Sequence, residues 1–424
     1  MKNSFIKLLS QNNNPLYLSL IVSSIAWAGS VKAKEIYIQP SINIQTEYDD
    51  NKRLRTDRFD SVDTSAYGVI TRARAKLGAR SNNYDIALDS QVIINKYESE
   101  FDLDSENFKV DFTSSYNATE RSRIGLSGNF TQDTTLTSEL EATGTGLVQD
   151  NIIRQQWSIT PDWSYSLSNT QSLQASYTHL DIEYEESEQG SFVNYTIDNI
   201  SLNFQQQWTP LLSNVLSVSA MVFDIPKIGS GIFESSRETT EYSINIGVDY
   251  QFLPTWSTSL NVGQRFTNTE TTQKFNFNTL RFEEVTASDD VRGLVFSFSV
   301  DKQFEAGTAG ITYSRSTSAQ GDGRLQVRDN FTANFRNKLT QKMQLSITGG
   351  MNDQSTSGSV DDGNGRTYFY IRPSLRWAFN RQTSLTGGYQ YRAQSFERND
   401  QEATSNSIFL NFNYQWDKFA TQRY

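Results

Sequence analysis

The sequence predicts an all-β protein, a transmembrane antiparallel β-barrel of about eighteen strands, and three observations lead there. The first is strict alternation. Across residues 156–167, Trp157, Ile159, Pro161, Trp163, Tyr165 and Leu167 fall on every second position, with Gln156, Ser158, Thr160, Asp162, Ser164 and Ser166 between them. Successive strand side chains point to opposite faces, so the segment is a ribbon with one apolar and one wet side. The second is the spacing of the connections, which are alternately short and long. The third is the absence of a competing helical period or a Pro/Gly/Ser-rich linker, although the chain has 424 residues.

In order, the chain opens with Lys2 and Lys7 ahead of an apolar run over residues 16–28, followed by small residues at Ala28 and Ala33. This is the pattern of a signal peptide, residues 1–33, cleaved after Ala28 or Ala33. The run is too short to span a bilayer as a helix, which takes about 20 apolar residues. The barrel is expected over residues 34–416, with a short tail or the end of the last strand over 417–424. Eighteen alternating segments centre near residues 42, 73, 90, 112, 127, 161, 177, 203, 219, 247, 262, 298, 311, 333, 347, 373, 388 and 411. The expected short turns lie at 81–83, 119–121, 168–171, 210–214, 253–255, 305–307, 339–342 and 380–383. Between them lie longer loops, including 49–61, 132–150, 267–291 and 393–404. Short periplasmic turns, long extracellular loops and strands of about ten alternating residues mark an outer-membrane barrel. A soluble sandwich also alternates, but it would need a second sheet over each apolar face.

Composition narrows the function. There is no Cys, which excludes a disulfide framework, thiolate chemistry and covalently attached haem. The formal charge is -10, and -13 once residues 1–33 are removed, which argues against nucleic acid as a partner. No GxSxG, GxxxxGK[ST] or HExxH stretch occurs, and the single His is His179. Leu180, Ile182 and Tyr184 take the parity opposite to Tyr177 and His179, which suggests a bulge or the membrane boundary. His179 therefore reads as an interfacial residue, the protein is expected not to be an enzyme, and no cofactor is expected.

Residues 47–54 read EYDDNKRL, and the chain closes on SIFLNFNYQW at residues 407–416. Both stretches resemble the first and last strands of the β-barrel porin 2 family, outer-membrane barrels linked to exopolysaccharide production. The resemblance implies a passive, porin-like channel in the cell outer membrane of a Gram-negative envelope, associated with exopolysaccharide export. A sugar-selective porin working inward and a structural barrel with a blocked lumen are the alternatives. The expected partners are outer-membrane lipid and lipopolysaccharide, polysaccharide or sugar solutes, and the assembly machinery that reads a terminal aromatic residue. Here residues 417–424 continue past Trp416.

If the apolar parity meets lipid, the other lines a water-filled bore. Ser41, Asn43, Ser158, Thr160, Ser201, Asn203, Ser217, Ser219, Ser297, Ser299, Thr332, Asn334, Ser346, Asn411 and Asn413 make that lining mostly neutral. One sector is basic: Arg72, Arg74 and Lys76, then Arg328, Arg336, Lys338, Arg366, Arg372, Arg376 and Arg392. Once the last strand pairs with the first, these strands form one wall. A stripe of Arg selects anions by field and by bidentate hydrogen bonding. Alternatively, Arg72 and Arg74 are spent on Asp85, Asp89 and Asp111 of the neighbouring strands. Tyr368 and Tyr370 share the inward parity and could stack on sugar rings, or form part of an interfacial girdle. Acidic runs, Glu98, Glu100, Asp102, Asp104 and Glu106, and Glu183, Glu185, Glu186 and Glu188, read as solvated loop surface rather than a Ca²⁺ site, and no metal is expected.

Overall fold

The computed structural model describes residues 35–56, 63–99, 103–136, 151–185, 192–228, 234–275, 283–319, 325–356, 365–397 and 401–422. The predicted signal peptide, with both cleavage points, lies outside them. The first half of the chain forms β1 (Glu35–Asp49), β2 (Ala66–Arg80), β3 (Tyr84–Glu98), β4 (Ser105–Asn117), β5 (Ser122–Thr134), β6 (Ile153–Ser166), β7 (Gln171–Tyr184), β8 (Tyr195–Thr209) and β9 (Leu212–Ile228). The second half forms β10 (Ser235–Leu253), β11 (Trp256–Gln273), β12 (Val285–Gln303), β13 (Gly307–Ala319), β14 (Leu325–Lys338), β15 (Met343–Thr356), β16 (Arg366–Ala378), β17 (Thr383–Phe396) and β18 (Gln401–Gln415), with a short β19 (Phe419–Gln422).

Each of β1 to β17 pairs antiparallel with the next, and β18 returns to β1 from Ser41↔Gln415 to Asp49↔Ser407. The sheet thus closes on itself, which removes the edges an open sheet would expose. Beyond a break at residues 416–418, β19 continues the seam against Glu35–Ile38 of β1. Trp416 donates its backbone N–H to Pro40 across the break, at 3.1 Å.

The register fixes which side chains face out. On β10, Tyr242, Ile244, Ile246, Val248 and Tyr250 are all exposed, and their partners Val262 and Leu260 on β11 and Phe298 on β12 are too. A soluble monomer rarely leaves a contiguous apolar patch beyond a few hundred Å². Here the patch is a belt running round the ring, so the belt is the lipid-facing surface of a transmembrane barrel. Aromatic pairs gather toward the short-turn end, among them Trp163 on Tyr165 and Trp377 on Phe379, as an interfacial girdle. Toward the long-loop end, Arg292 lies over the Phe266 ring at 5.5 Å, and the next outward rung is Thr240, Asn268 and Asp290.

Two expectations need correction. The loop expected over 267–291 is mostly strand, because β11 runs to Gln273 and β12 starts at Val285. Above the belt the outward positions are polar, Asn268, Glu270 and Thr272 on β11 and Thr286, Ser288 and Asp290 on β12, so these stretches lack the apolar alternation that marks a membrane strand. Nor is there a bulge at His179: β6 and β7 keep one register from Arg154↔Tyr184 to Ser166↔Ser172. Leu180, Ile182 and Tyr184 point inward and join an internal cluster with Tyr195, Phe223, Ile225 and Leu325. The apolar face changes sides because the lumen there is filled with protein.

Candidate functional site in the lumen

The register turns all ten predicted basic side chains inward. Arg72 sits opposite Asn43, Arg74 opposite Ser41 and Lys76 opposite Gln39, while Arg328, Arg336 and Lys338 share the face of Asn334. Arg366, Arg372 and Arg376 lie opposite Gln354, Thr348 and Gln344, and Arg392 opposite Ser405. Closure of β18 on β1 brings β14, β16, β17 and β2 into one sector.

Height divides that wall in two. Toward the short turns, Arg336, Lys338, Arg372 and Arg376 are exposed to the bore, and Arg372 lies over the Phe409 ring at 4.3 Å. That ring packs against Gly388, where an added Cβ would come within 2.4 Å of it. On β2 the expected pairing holds in part. Arg74 grips Asp89 with two hydrogen bonds, one from Nε at 2.7 Å, and Arg80 takes Asp85 at 2.8 Å. Arg72 instead donates to the amide oxygens of Asn43 (3.2 Å) and Gln45 (3.3 Å). Asp111 accepts from Asn129 and pairs with Lys109 of its own strand.

Toward the long loops the wall is covered. Arg392 is 4% exposed and donates to Asp49 Oδ2 at 2.7 Å, Ser405 Oγ at 3.0 Å and the Lys52 carbonyl at 3.2 Å. Arg366 donates to Gln394 at 2.6 Å, and Gln394 in turn donates to the Leu54 carbonyl at 2.6 Å. Lys52 is buried on Glu47 at 2.6 Å, and the Tyr97 hydroxyl donates to the same carboxylate at 2.8 Å. Leu54 has no exposed surface and packs with Leu103, Leu136, Ala66, Ala403 and Tyr368. Residues 50–56, which follow Asp49 at the end of β1, are therefore a lid folded into the bore. Full burial of each leucine contributes roughly 1.5–3 kcal/mol. Against this, Leu54 has φ of 49°, a left-handed conformation that costs a residue with a Cβ about 1–2 kcal/mol.

The lid corrects the expectation for Tyr368 and Tyr370. Tyr368 is buried in the lid cluster and Tyr370 packs against it, their ring centroids 6.0 Å apart. Their faces are taken by the chain itself, so they offer no stacking platform while the lid is in place. His179 faces outward, its ring 4.9 Å from Trp157, and its Nδ1 shares a 2.7 Å hydrogen bond with Asp198. Of the acidic loop residues, Glu100, Asp102, Glu186 and Glu188 lie outside the described residues. Among the described residues, no group of three or more His, Asp or Glu is placed to hold a metal.

Asp49, the lid residues Lys52 and Leu54 and their anchors escaped the reading by strand parity, although the sequence held a signal. Leu54, Leu103 and Leu136 are each a leucine set among polar and charged neighbours in a loop, in NKRLRTD, FDLDSE and TTLTSE.

No protein-family model matches the chain, and no curated protein matches it. It is similar to solved structures. The closed form of the ferric-catecholate import receptor Fiu of E. coli K12 superposes with a TM-score of 0.47 at 8% identity, over 90% of this chain and 81% of that one. OccAB4 of Acinetobacter baumannii gives 0.44 at 10% identity, over 91% and 99%. The outer membrane protein opdK of Pseudomonas aeruginosa gives 0.44 at 7% identity, over 89% and 99%. At these scores the likeness transfers neither solute nor mechanism, and the barrel is established by its own strand register.

Proposed function

We propose that the protein is a passive, porin-like channel of the outer membrane, not an enzyme, and that it conducts acidic glycans outward. Residues 47–54 and 407–416, which resemble the β-barrel porin 2 family, support the link to exopolysaccharide. The single observation that carries the acidic solute is the exposed basic wall of Arg336, Lys338, Arg372 and Arg376 near the short turns. In an outer-membrane barrel those turns face the periplasm. A guanidinium presents paired donors that match a carboxylate, and the Ser, Thr and Asn of the rest of the lining offer hydrogen bonds to sugar hydroxyls. A carboxylated glycan would meet the basic wall first from the periplasmic side, which favours export over uptake. The wall supplies no energy coupling, so flux follows the gradient.

The test is single-channel recording of the purified mature chain in planar bilayers, with a salt gradient across the membrane. A reversal potential favouring anions is expected; cation preference sinks this reading. The two internal clusters favour a second reading, a structural barrel with a blocked lumen. Absence of any conductance, in the wild type and in the opened variants described next, would select it.

A further inference from the structure

We propose that the lid is a latch in which Asp49 stands in for a substrate carboxylate on Arg392, so that Arg392 is a further binding residue for an acidic glycan. This rests on the acidic-solute reading above and adds the residue at which the solute acts on the gate.

Asp49 ends β1 and is 2% exposed. Oδ2 takes the Arg392 guanidinium at 2.7 Å, and Oδ1 takes the Ser405 hydroxyl at 2.7 Å and the Asn51 backbone N–H at 2.9 Å. An arginine with a hydroxyl beside it is a carboxylate receptor, here filled from within the chain. The receptor belongs to the same inward wall as the open residues below it: Arg392 lies opposite Tyr370 on β16, two residues along from Arg372. The remaining anchors reinforce the carboxylate contact. Arg392 also holds the Lys52 carbonyl, Gln394 holds the Leu54 carbonyl, and Asn51 Nδ2 donates to the Thr404 and Arg55 carbonyls. The base of the segment is held separately, by the β1 ladder at Asp49 and by Asp50, which takes the Asn406 backbone N–H at 2.6 Å and its Nδ2 at 2.8 Å, so loss of the Arg392 contact loosens the part beyond Asp50, where Leu54 is kept in a left-handed conformation.

A glycan moving up the wall from Arg376 and Arg372 would carry a carboxylate to the base of the lid. If it replaces Asp49 on Arg392, the guanidinium keeps a counter-ion, the freed Asp49 carboxylate turns to the water of the bore, and the lid loses one of its two buried ionic anchors, the other being Lys52 on Glu47. No covalent step is involved. A neutral sugar has no such means of opening the lid, so the latch would add selectivity to that of the exposed wall.

The experiment compares wild type, Asp49→Asn and Leu54→Gly as full mature chains in planar bilayers, with and without oligogalacturonate on the short-turn side. Leu54→Gly removes the plug side chain and accepts φ > 0, so it keeps the test decisive if Asp49→Asn fails to fold; electrophoretic heat-modifiability reports folding of each. We expect several-fold higher conductance or open probability in both variants. Oligogalacturonate should raise the open probability of the wild type several-fold, leave Asp49→Asn unchanged, and have no such effect when replaced by a neutral maltooligosaccharide. Equal conductance of the wild type and the folded variants would overturn the latch. Opened variants without any oligogalacturonate effect on the wild type would overturn the substitution of Asp49 by substrate. Cation preference with opened variants would instead bring down the acidic-solute reading while leaving the latch in place.

Discussion

The decisive test of which face meets lipid is a pair of arginine substitutions one rung apart. Ile246 lies outward near the middle of the belt on β10, is 57% exposed, and has Leu216 and Val262 as its cross-strand neighbours. Ser217 on β9 sits opposite Asn245 and faces the bore. Arginine on the lipid face near the bilayer midplane costs about 2–4 kcal/mol, and much less where water is at hand. At 1.4 kcal/mol per factor of ten, Ile246→Arg should lower the folding equilibrium constant roughly 30- to 700-fold. Ser217→Arg, placed in a wide polar lumen, should stay within about 0.5 kcal/mol. The assay is equilibrium urea unfolding of the mature chain folded into phosphatidylcholine vesicles, followed by tryptophan fluorescence. Equal costs for the two substitutions, or a larger cost at Ser217, would refute the inside–outside assignment. The channel reading would go with it, because every lumen residue is assigned by the same register.

Three further outcomes follow from the interior. Arg336→Glu combined with Arg376→Glu should move the reversal potential toward cations while changing unfolding by no more than about 1 kcal/mol, since both side chains are exposed. Asp89→Asn releases Arg74 and should make the pore more anion-selective; the partly exposed pair itself contributes under about 1 kcal/mol, as urea unfolding would show. Phe223→Ala empties a fully buried position in the internal cluster beside Tyr195, and should cost about 3–5 kcal/mol in the same unfolding assay. A cost below about 1 kcal/mol would mean the cluster is not packed.

What could be read from the sequence divides along the physics of the environment. Between lipid and water a strand has two unlike faces, so alternation is forced, and segments such as residues 156–167 and 242–252 are unambiguous. Where β11 and β12 rise above the belt, the outward face meets water too. Stretches such as TNTETTQ and VTASDDV then look like loop although they continue the ladder. Inside the bore the failure has the opposite cause. Leu180, Ile182 and Tyr184 are apolar and inward because protein fills the lumen there, a tertiary fact that no local pattern encodes. The basic wall was legible because parity alone places Arg72 through Arg392 on one face. Its division into covered and open halves was not, since that depends on residues 50–56 folding back over β17 and β18.

That division bears on the direction of transport. A lumen basic along its whole height and open at both ends would hold an acidic polymer from either side. Here the guanidinium groups of Arg366 and Arg392, toward the outside, are buried, Arg366 donating to Gln394 and Arg392 to Asp49, while Arg328, level with Arg366, is half-buried. Those nearest the short turns are not so covered, and Arg336 and Arg376 face the bore. An anion arriving from outside would first have to break a buried ion pair, and stripping one partner from such a pair typically costs about 3–5 kcal/mol. An anion arriving from inside meets solvated cations at no such cost, and reaches the covered pair already concentrated by the wall. Opening by oligogalacturonate should therefore be asymmetric, with a lower effective concentration when it is added at the short-turn face of an oriented channel. Symmetric opening, or stronger opening from the loop face, would remove the structural reason for export.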